Sequence, residues 1–217
     1  MYHYIAKSFA SYIVSNNQSW IKNPIKSQTK TLETLIESGR KTLFGEHHFF
    51  KDIRKYGEFK ESIPVRGYEK YKVYIERVRK GESNVIWPGK PEYFCKTSGT
   101  TSGVKYIPIF KNAIKTHTNS ARDTILNYIL TTGDTNCIKG KQMFIQGSPI
   151  LKTQKGIKTG RLSGIVAHHI PFYLRPSRMP SWDVNCIEDW EEKINAIVDQ
   201  TINQNMTLIS GIPPWVQ

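Results

Sequence analysis

The chain has 217 residues, 38% hydrophobic and 12% aromatic, and its 31 Lys and Arg outnumber 18 Asp and Glu for a formal charge of +13. Such a length and apolar content support one substantial domain, or one and part of another, and exclude wholesale disorder. The three cysteines, Cys95, Cys137 and Cys186, are scattered and form no C-x-x-C pair, which excludes a disulfide framework and points to thiols in a reducing cytosol.

Tyr2, Ile5, Phe9, Tyr12 and Ile13 recur at helical spacing, which predicts an amphipathic helix over residues 1–23 packing on the protein itself. Lys7 interrupts its apolar stretch and no basic segment precedes it, so it does not read as a signal peptide. Binding of that helix to a membrane surface is the alternative. No apolar run reaches the ~20 residues that span a bilayer. Pro24 closes the helix by pushing Asn23 out of helical angles. Leu32, Leu35, Ile36 and Leu43 predict a second helix over 28–43, stopped by Gly45. His47 and His48 follow in a loop, where packing is the expected role because adjacent histidines need further ligands to hold a metal. A short helix over 51–59 and a longer one over 68–80, ended by Gly81, come next.

The next stretch carries the chemistry. Residues 83–94 are broken by Pro88, Gly89 and Pro91, and 106–110 are apolar, short and interrupted by Pro108. Between them runs Thr97-Ser98-Gly99-Thr100-Thr101-Ser102-Gly103-Val104-Lys105, with five hydroxyl side chains and two glycines in its first seven residues. Glycine lets backbone N–H groups converge on one anion, hydroxyls donate to non-bridging oxygens, and Lys105 adds charge. A polyphosphate loop is one reading; an ordinary Ser/Thr/Gly loop or linker is the other, although a linker would run longer between complete domains. Neither a Walker A loop nor a Gly-x-Gly-x-x-Gly fingerprint is present.

Further on, Asn112 caps a predicted helix over 112–130 that Gly133 ends, and 141–146 read as a strand into the Gly147-Ser148-Pro149 turn. The basic run 152–161 reads as an exposed loop, and His168 and His169 again as packing residues. A helix over 187–205 places Trp190, Ile194, Ile197, Val198 and Ile202 on one face and leads into a buried strand over 206–210. Helix followed by buried strand predicts a mixed α/β fold with helices packed on a sheet. The basic residues are dispersed, with no dense block and no nucleic-acid module, so the charge reads as solvated surface; a nucleic-acid binder stays as a further alternative.

The loop resembles the phosphate loop of the adenylate-forming superfamily. Its flanks narrow the resemblance: the blocks at 59–71 and 74–82, Val85-Ile-Trp-Pro-Gly89, Thr42-Leu-Phe-Gly45, Leu162-Ser-Gly-Ile165 and Gly211-Ile-Pro-Pro-Trp215 are similar to the auxin-responsive acyl acid–amido synthetase family of the Gretchen Hagen type. The resemblance implies that residues 1–217 form the N-terminal part of one adenylate-forming large domain, with the C-terminal domain absent. It implies a cytoplasmic monomer that uses ATP and Mg²⁺ to join a small carboxylic acid to an amino acid, with no membrane or nucleic-acid partner. Thr97, Ser98, Gly99, Thr100, Thr101, Ser102, Gly103 and Lys105 then hold the nucleotide phosphates. Val104 alone separates Gly103 from Lys105, one residue fewer than in the superfamily loop; a residue is ~3.3 Å of extended chain, which favours Ser98, Thr100 and Thr101 over Lys105. Aligning the shared Ile-Pro makes Arg122 a partner for the substrate carboxylate. The family needs no nucleophilic side chain. A catalytically inactive remnant or binding module of the same fold is the alternative.

Overall fold

A computed structural model of the chain describes residues 2–97, 99 and 103–216. In chain order the elements are α1 (Tyr2–Lys22), α2 (Pro24–Gly39), α3 (Leu43–His47), α4 (Tyr56–Ser62), α5 (Tyr68–Arg79), β1 (Tyr93–Lys96), β2 (Tyr106–Ile109) and α6 (Lys111–Thr132). There follow β3 (Lys141–Phe144), β4 (Lys152–Gln154), β5 (Ile157–Gly160), α7 (Leu162–Ala167), β6 (Arg178–Met179), α8 (Trp182–Cys186), α9 (Trp190–Thr201), β7 (Met206–Ser210) and α10 (Pro213–Val216). The fold is mixed α/β, as expected. The chain divides into two compact units, one built from Ser15–Ile114 and Lys152–Thr159, the other from Met1–Val14, Lys115–Leu151 and Gly160–Gln217. Among the described residues no helix is long and apolar enough to cross a membrane. Among the described residues no cysteine forms a disulfide.

The first unit is built around a four-stranded sheet in the order β2-β1-β5-β4. β1 and β2 pair antiparallel with Lys96 opposite Tyr106, and β4 and β5 form a second antiparallel pair. This corrects the expectation of an exposed loop over 152–161. Lys155 and Gly156 both take positive φ, 51° and 79°, the two-residue hairpin turn whose twist matches that of its strands. Ile157, 3% exposed, joins Tyr74, Ile75 and Val78 of α5 with Val85 and Phe94 in the core. Each such side chain contributes about 1.5–3 kcal/mol on burial.

The helical boundaries shift for local reasons. The second predicted helix ends at Gly39, because buried Thr42 starts a new one. Its hydroxyl donates to the Gly39 carbonyl at 2.7 Å and accepts the Gly45 N–H at 3.0 Å. Gly45 therefore lies inside α3 instead of stopping a helix, and a Cβ there would sit beside the Gly39 carbonyl oxygen. His48 is packed, as expected: it is buried, stacks on Phe44 at 4.1 Å and shares a 2.8 Å hydrogen bond with the Phe44 carbonyl. The predicted helix over 51–59 is displaced to 56–62, where the Glu58 carboxylate accepts the N–H groups of Arg54 at 2.6 Å and Lys55 at 3.2 Å.

The second unit has a parallel sheet in the order β6-β3-β7, with Gln142 opposite both Arg178 and Leu208. Its helical core joins Ala10 and Val14 of α1 to Leu126 and Ile129 of α6. Of the face expected of the first helix, Ile13 packs against this core, but most of the rest does not. Ile5, Phe9 and Tyr12 are exposed, while Ala10 is fully buried, because a small residue permits the closer helix approach. Strand β7, expected to be buried, lies at the sheet edge with Ile209 52% exposed. Helix α9 begins at Trp190 instead of 187, since Asp189 caps it by accepting the Glu192 N–H at 2.9 Å. Ile197 is its buried apolar residue, whereas Trp190, Val198 and Ile202 of the predicted face are exposed.

Candidate functional site

The hydroxyl- and glycine-rich stretch closes the β1–β2 hairpin of the first unit. Two hydrogen bonds continue the ladder past the last strand pair: Thr97 N–H donates to the Lys105 carbonyl at 3.1 Å, and Lys105 N–H donates to the Thr97 hydroxyl at 3.1 Å. Thr97 and Lys105 thus clamp the base of the loop. Ser98, Thr100, Thr101 and Ser102 lie outside the described residues. Gly99 has φ +71°, and a Cβ there would stand 3.0 Å from Val104 N and 3.1 Å from Gly103 C. The chain folds back on itself at a distance only glycine permits. Gly103 also has positive φ, +76°, but faces open space.

The clamp is held from outside by α5. Tyr68 Oη donates to the Tyr106 carbonyl at 3.3 Å and accepts the Tyr106 N–H at 2.9 Å. β2 is the sheet's edge strand, so this hydroxyl occupies backbone groups that would otherwise meet water. Basic groups gather at the same end. Lys105 Nζ lies 5.8 Å from the Tyr68 ring centre and Lys96 Nζ 5.9 Å from that of Tyr106. The Arg79 guanidinium stacks on Tyr106 at 4.0 Å while paired to Glu76 at 2.8 Å. Among the described residues neither lysine has a carboxylate partner. Among the described residues the loop base therefore offers two lysines without a carboxylate partner, which suits a multiply charged anion.

Of the residues expected at the site, the structure brings together Thr97, Gly99, Gly103 and Lys105. Arg122 belongs to the other unit, on α6. Its guanidinium forks onto Asp123 at 2.8 and 2.7 Å and is 41% exposed, so a substrate carboxylate would have to displace that neighbour. Tyr68 and Lys96 escaped the sequence reading. Tyr68 lies in a block similar to the synthetase family, yet nothing in its spacing marks it as the residue that holds β2. Among the described residues no three His, Cys, Asp or Glu side chains form a metal cluster.

A family model described as the GH3 family N-terminal domain matches residues 15–186. The solved structure "GH3.15 acyl acid amido synthetase" matches with a TM-score of 0.69 at 16% identity, covering 83% of this chain and 32% of that one. A second, "AtGH3.15 acyl acid amido synthetase in complex with 2,4-DB", matches with a TM-score of 0.67 at 16% identity, covering 82% of this chain and 32% of the other. These likenesses are of fold, and the chain spans 32% of the length of the synthetases it matches. No curated protein sequence matches it.

Proposed function

Because the chain belongs to the GH3 family, whose N-terminal domain it carries, we propose that it holds ATP by the phosphates in the 97–105 loop and serves the ligation of a carboxylic acid to an amino acid. The observation that carries the reading is the clamped hairpin: Thr97 and Lys105 fix the loop base, and Gly99 folds the chain tightly between two free lysines. In this reaction a carboxylate oxygen attacks the α-phosphorus, the bond to the β-phosphate oxygen breaks, and pyrophosphate leaves behind an acyl-adenylate. An amine then attacks the acyl carbon, loses its proton and expels AMP to leave an amide.

Both reactants of the first step are anions, so positioning and charge stabilisation supply the catalysis and no side-chain nucleophile is required. The loop's hydroxyls and N–H groups are assigned to the β- and γ-phosphates, where they stabilise the departing pyrophosphate. Mg²⁺ entering with the nucleotide neutralises phosphate charge. Ser98, Thr100 and Thr101 carry the side-chain part of this role on the strength of the family resemblance, and Lys96 and Lys105 add charge at the loop base.

The test is ATP–pyrophosphate exchange in the presence of a panel of carboxylic acids. Exchange should appear with a subset of acids, and Thr100→Ala should slow it roughly ten- to a thousand-fold, the range for loss of one transition-state donor. Exchange unchanged by that substitution removes Thr100 from the role. Mg·ATP binding with no exchange for any acid would assign the chain to binding and not turnover.

A further inference from the structure

The first unit leaves an apolar corner in water. Helix α1 ends in Trp20-Ile21-Lys22, and after Asn23 helix α2 opens with Pro24-Ile25-Lys26. Trp20 and Ile21 are each 55% exposed and Ile25 is 74% exposed, although isoleucine is among the residues most often taken into a core. A single exposed apolar side chain needs no explanation, but Trp20, Ile21 and Ile25 follow one another closely enough to form a patch.

The patch continues along α2. Ile25, Thr29, Leu32 and Ile36 recur at helical spacing and line a groove of about 960 Å³, which Ile53 and Tyr56 also line. The Thr29 hydroxyl donates to the Ile25 carbonyl at 2.9 Å, so that side chain offers its methyl without an unpaired donor. Tyr56, 67% exposed, follows directly on the cationic Arg54 and Lys55 in the groove wall. The acids of that wall are Glu33 and Glu37, and Glu37 is paired with Arg40 at 2.9 Å.

Charge decides what covers this corner. From Tyr2 to Leu32 the sequence has no Asp or Glu. Lys22, Lys26 and Lys30 are exposed, and among the described residues none of them has a carboxylate partner. At 3.6 residues per turn, Lys26 and Lys30 stand roughly 100–140° around α2 from Ile25. They therefore flank the apolar row instead of interrupting it, and their aliphatic stems can lie along it with the ammonium groups beyond. Protein interfaces are depleted of lysine, and a nucleic-acid backbone gains nothing from exposed isoleucines. Tryptophan and isoleucine beside a group of lysines instead suit the boundary where acyl chains meet anionic head groups.

We propose that the α1–α2 corner is a peripheral docking surface for an anionic lipid bilayer, with Trp20, Ile21 and Ile25 in the head-group boundary and Lys22, Lys26 and Lys30 on the lipid anions. The family resemblance does not imply such a partner, and the surface needs no nucleotide at the 97–105 loop. Co-sedimentation of the nucleotide-free chain with vesicles tests it, one set containing phosphatidylserine in phosphatidylcholine and the other phosphatidylcholine alone. The chain should bind the anionic vesicles saturably and the neutral ones at least about tenfold more weakly. A variant carrying Trp20→Ser, Ile21→Ser and Ile25→Ser keeps every charge. With the far-ultraviolet dichroism of the wild type, it should bind the anionic vesicles at least about tenfold more weakly. No saturable binding to anionic vesicles, or equal binding to both kinds, overturns the proposal on the wild-type chain alone. Unchanged affinity in the folded variant overturns it too, since only diffuse attraction of a chain with charge +13 would then be at work. A dimer that the variant dissolves in analytical ultracentrifugation, without vesicle binding by the wild type, overturns it in favour of a second copy on this face.

Discussion

Tyr68 shows how one hydroxyl can govern a site built from backbone. Its Oη serves both polar groups of Tyr106, the first residue of β2, directly after the loop. Tyr68→Phe leaves that N–H and carbonyl unpaired at the sheet edge. The cost should be about 1–2 kcal/mol in urea unfolding, with weakened nucleotide binding; a change below about 0.3 kcal/mol would show that water replaces the hydroxyl freely. The two loop glycines separate two effects. At Gly103→Ala only the positive φ is strained, roughly 1–2 kcal/mol, whereas Gly99→Ala also drives a methyl against Val104 and Gly103. Gly99→Ala should therefore harm Mg·ATP affinity more, and equal effects would remove the close approach as the reason for glycine. His48 gives a pH test. Burial, chiefly, lowers its pKa below 6.5, and the charges of Arg66 and His47 act in the same direction. The unfolded chain then takes up the proton first. The contribution of His48 is full above pH 6.5 and is lost as pH falls through 6.5 towards the lower folded value. Urea midpoints measured between pH 7.5 and 5 should fall more steeply in the wild type than in His48→Gln; parallel curves would exclude it.

At the scale of elements, the β4–β5 hairpin supports the strand from which the loop springs. β5 lies beside β1, and Ile157 fills the core against α5 and Phe94. Ile157→Ala should cost about 2–5 kcal/mol and loosen the loop base from a distance. Unfolding together with Mg·ATP titration tests this, and an unperturbed affinity in a clearly destabilised variant would uncouple the hairpin from the loop. The hairpin also shows where the sequence is opaque. Its strands are short, Lys152, Thr153 and Gln154 are all exposed, and a single apolar residue, Ile157, betrays the core face. Periodicity has too few residues to register there, although the Lys155-Gly156 pair carried the turn signal. Helix α5 was legible at nearly full length because three buried residues, Tyr74, Ile75 and Val78, repeat at helical spacing over twelve residues. Helix α1 was legible as a helix but only partly in its orientation, since Ile13 of the expected stripe does pack on the core. Large apolar residues mark its outer stripe, while Ala10 and Val14 make the contact. Size misled there, since close packing rewards the small residue.

Across the whole molecule, the mixed α/β class and the family both follow from ordered sequence blocks, and the family model spans residues 15–186. The site was only partly legible. Hydroxyls and glycines marked the loop as a candidate, but its clamp depends on Thr97 meeting Lys105 across a hairpin, and its support on Tyr68, 38 residues before the backbone it holds. Such contacts are products of the tertiary fold and leave no local spacing to read. The loop, Tyr68 and Ile157 all belong to one unit, so the proposed site and its supports lie within Ser15–Ile114 and Lys152–Thr159. The most direct measurement is calorimetric titration of Mg·ATP into the chain, repeated with pyrophosphate present and in Gly99→Ala. Saturable binding, competed by pyrophosphate and weakened at least about tenfold (roughly 1.4 kcal/mol) by the substitution, is the expected result. No saturable binding, or binding indifferent to both pyrophosphate and Gly99→Ala, would contradict a nucleotide held by its phosphates in this loop.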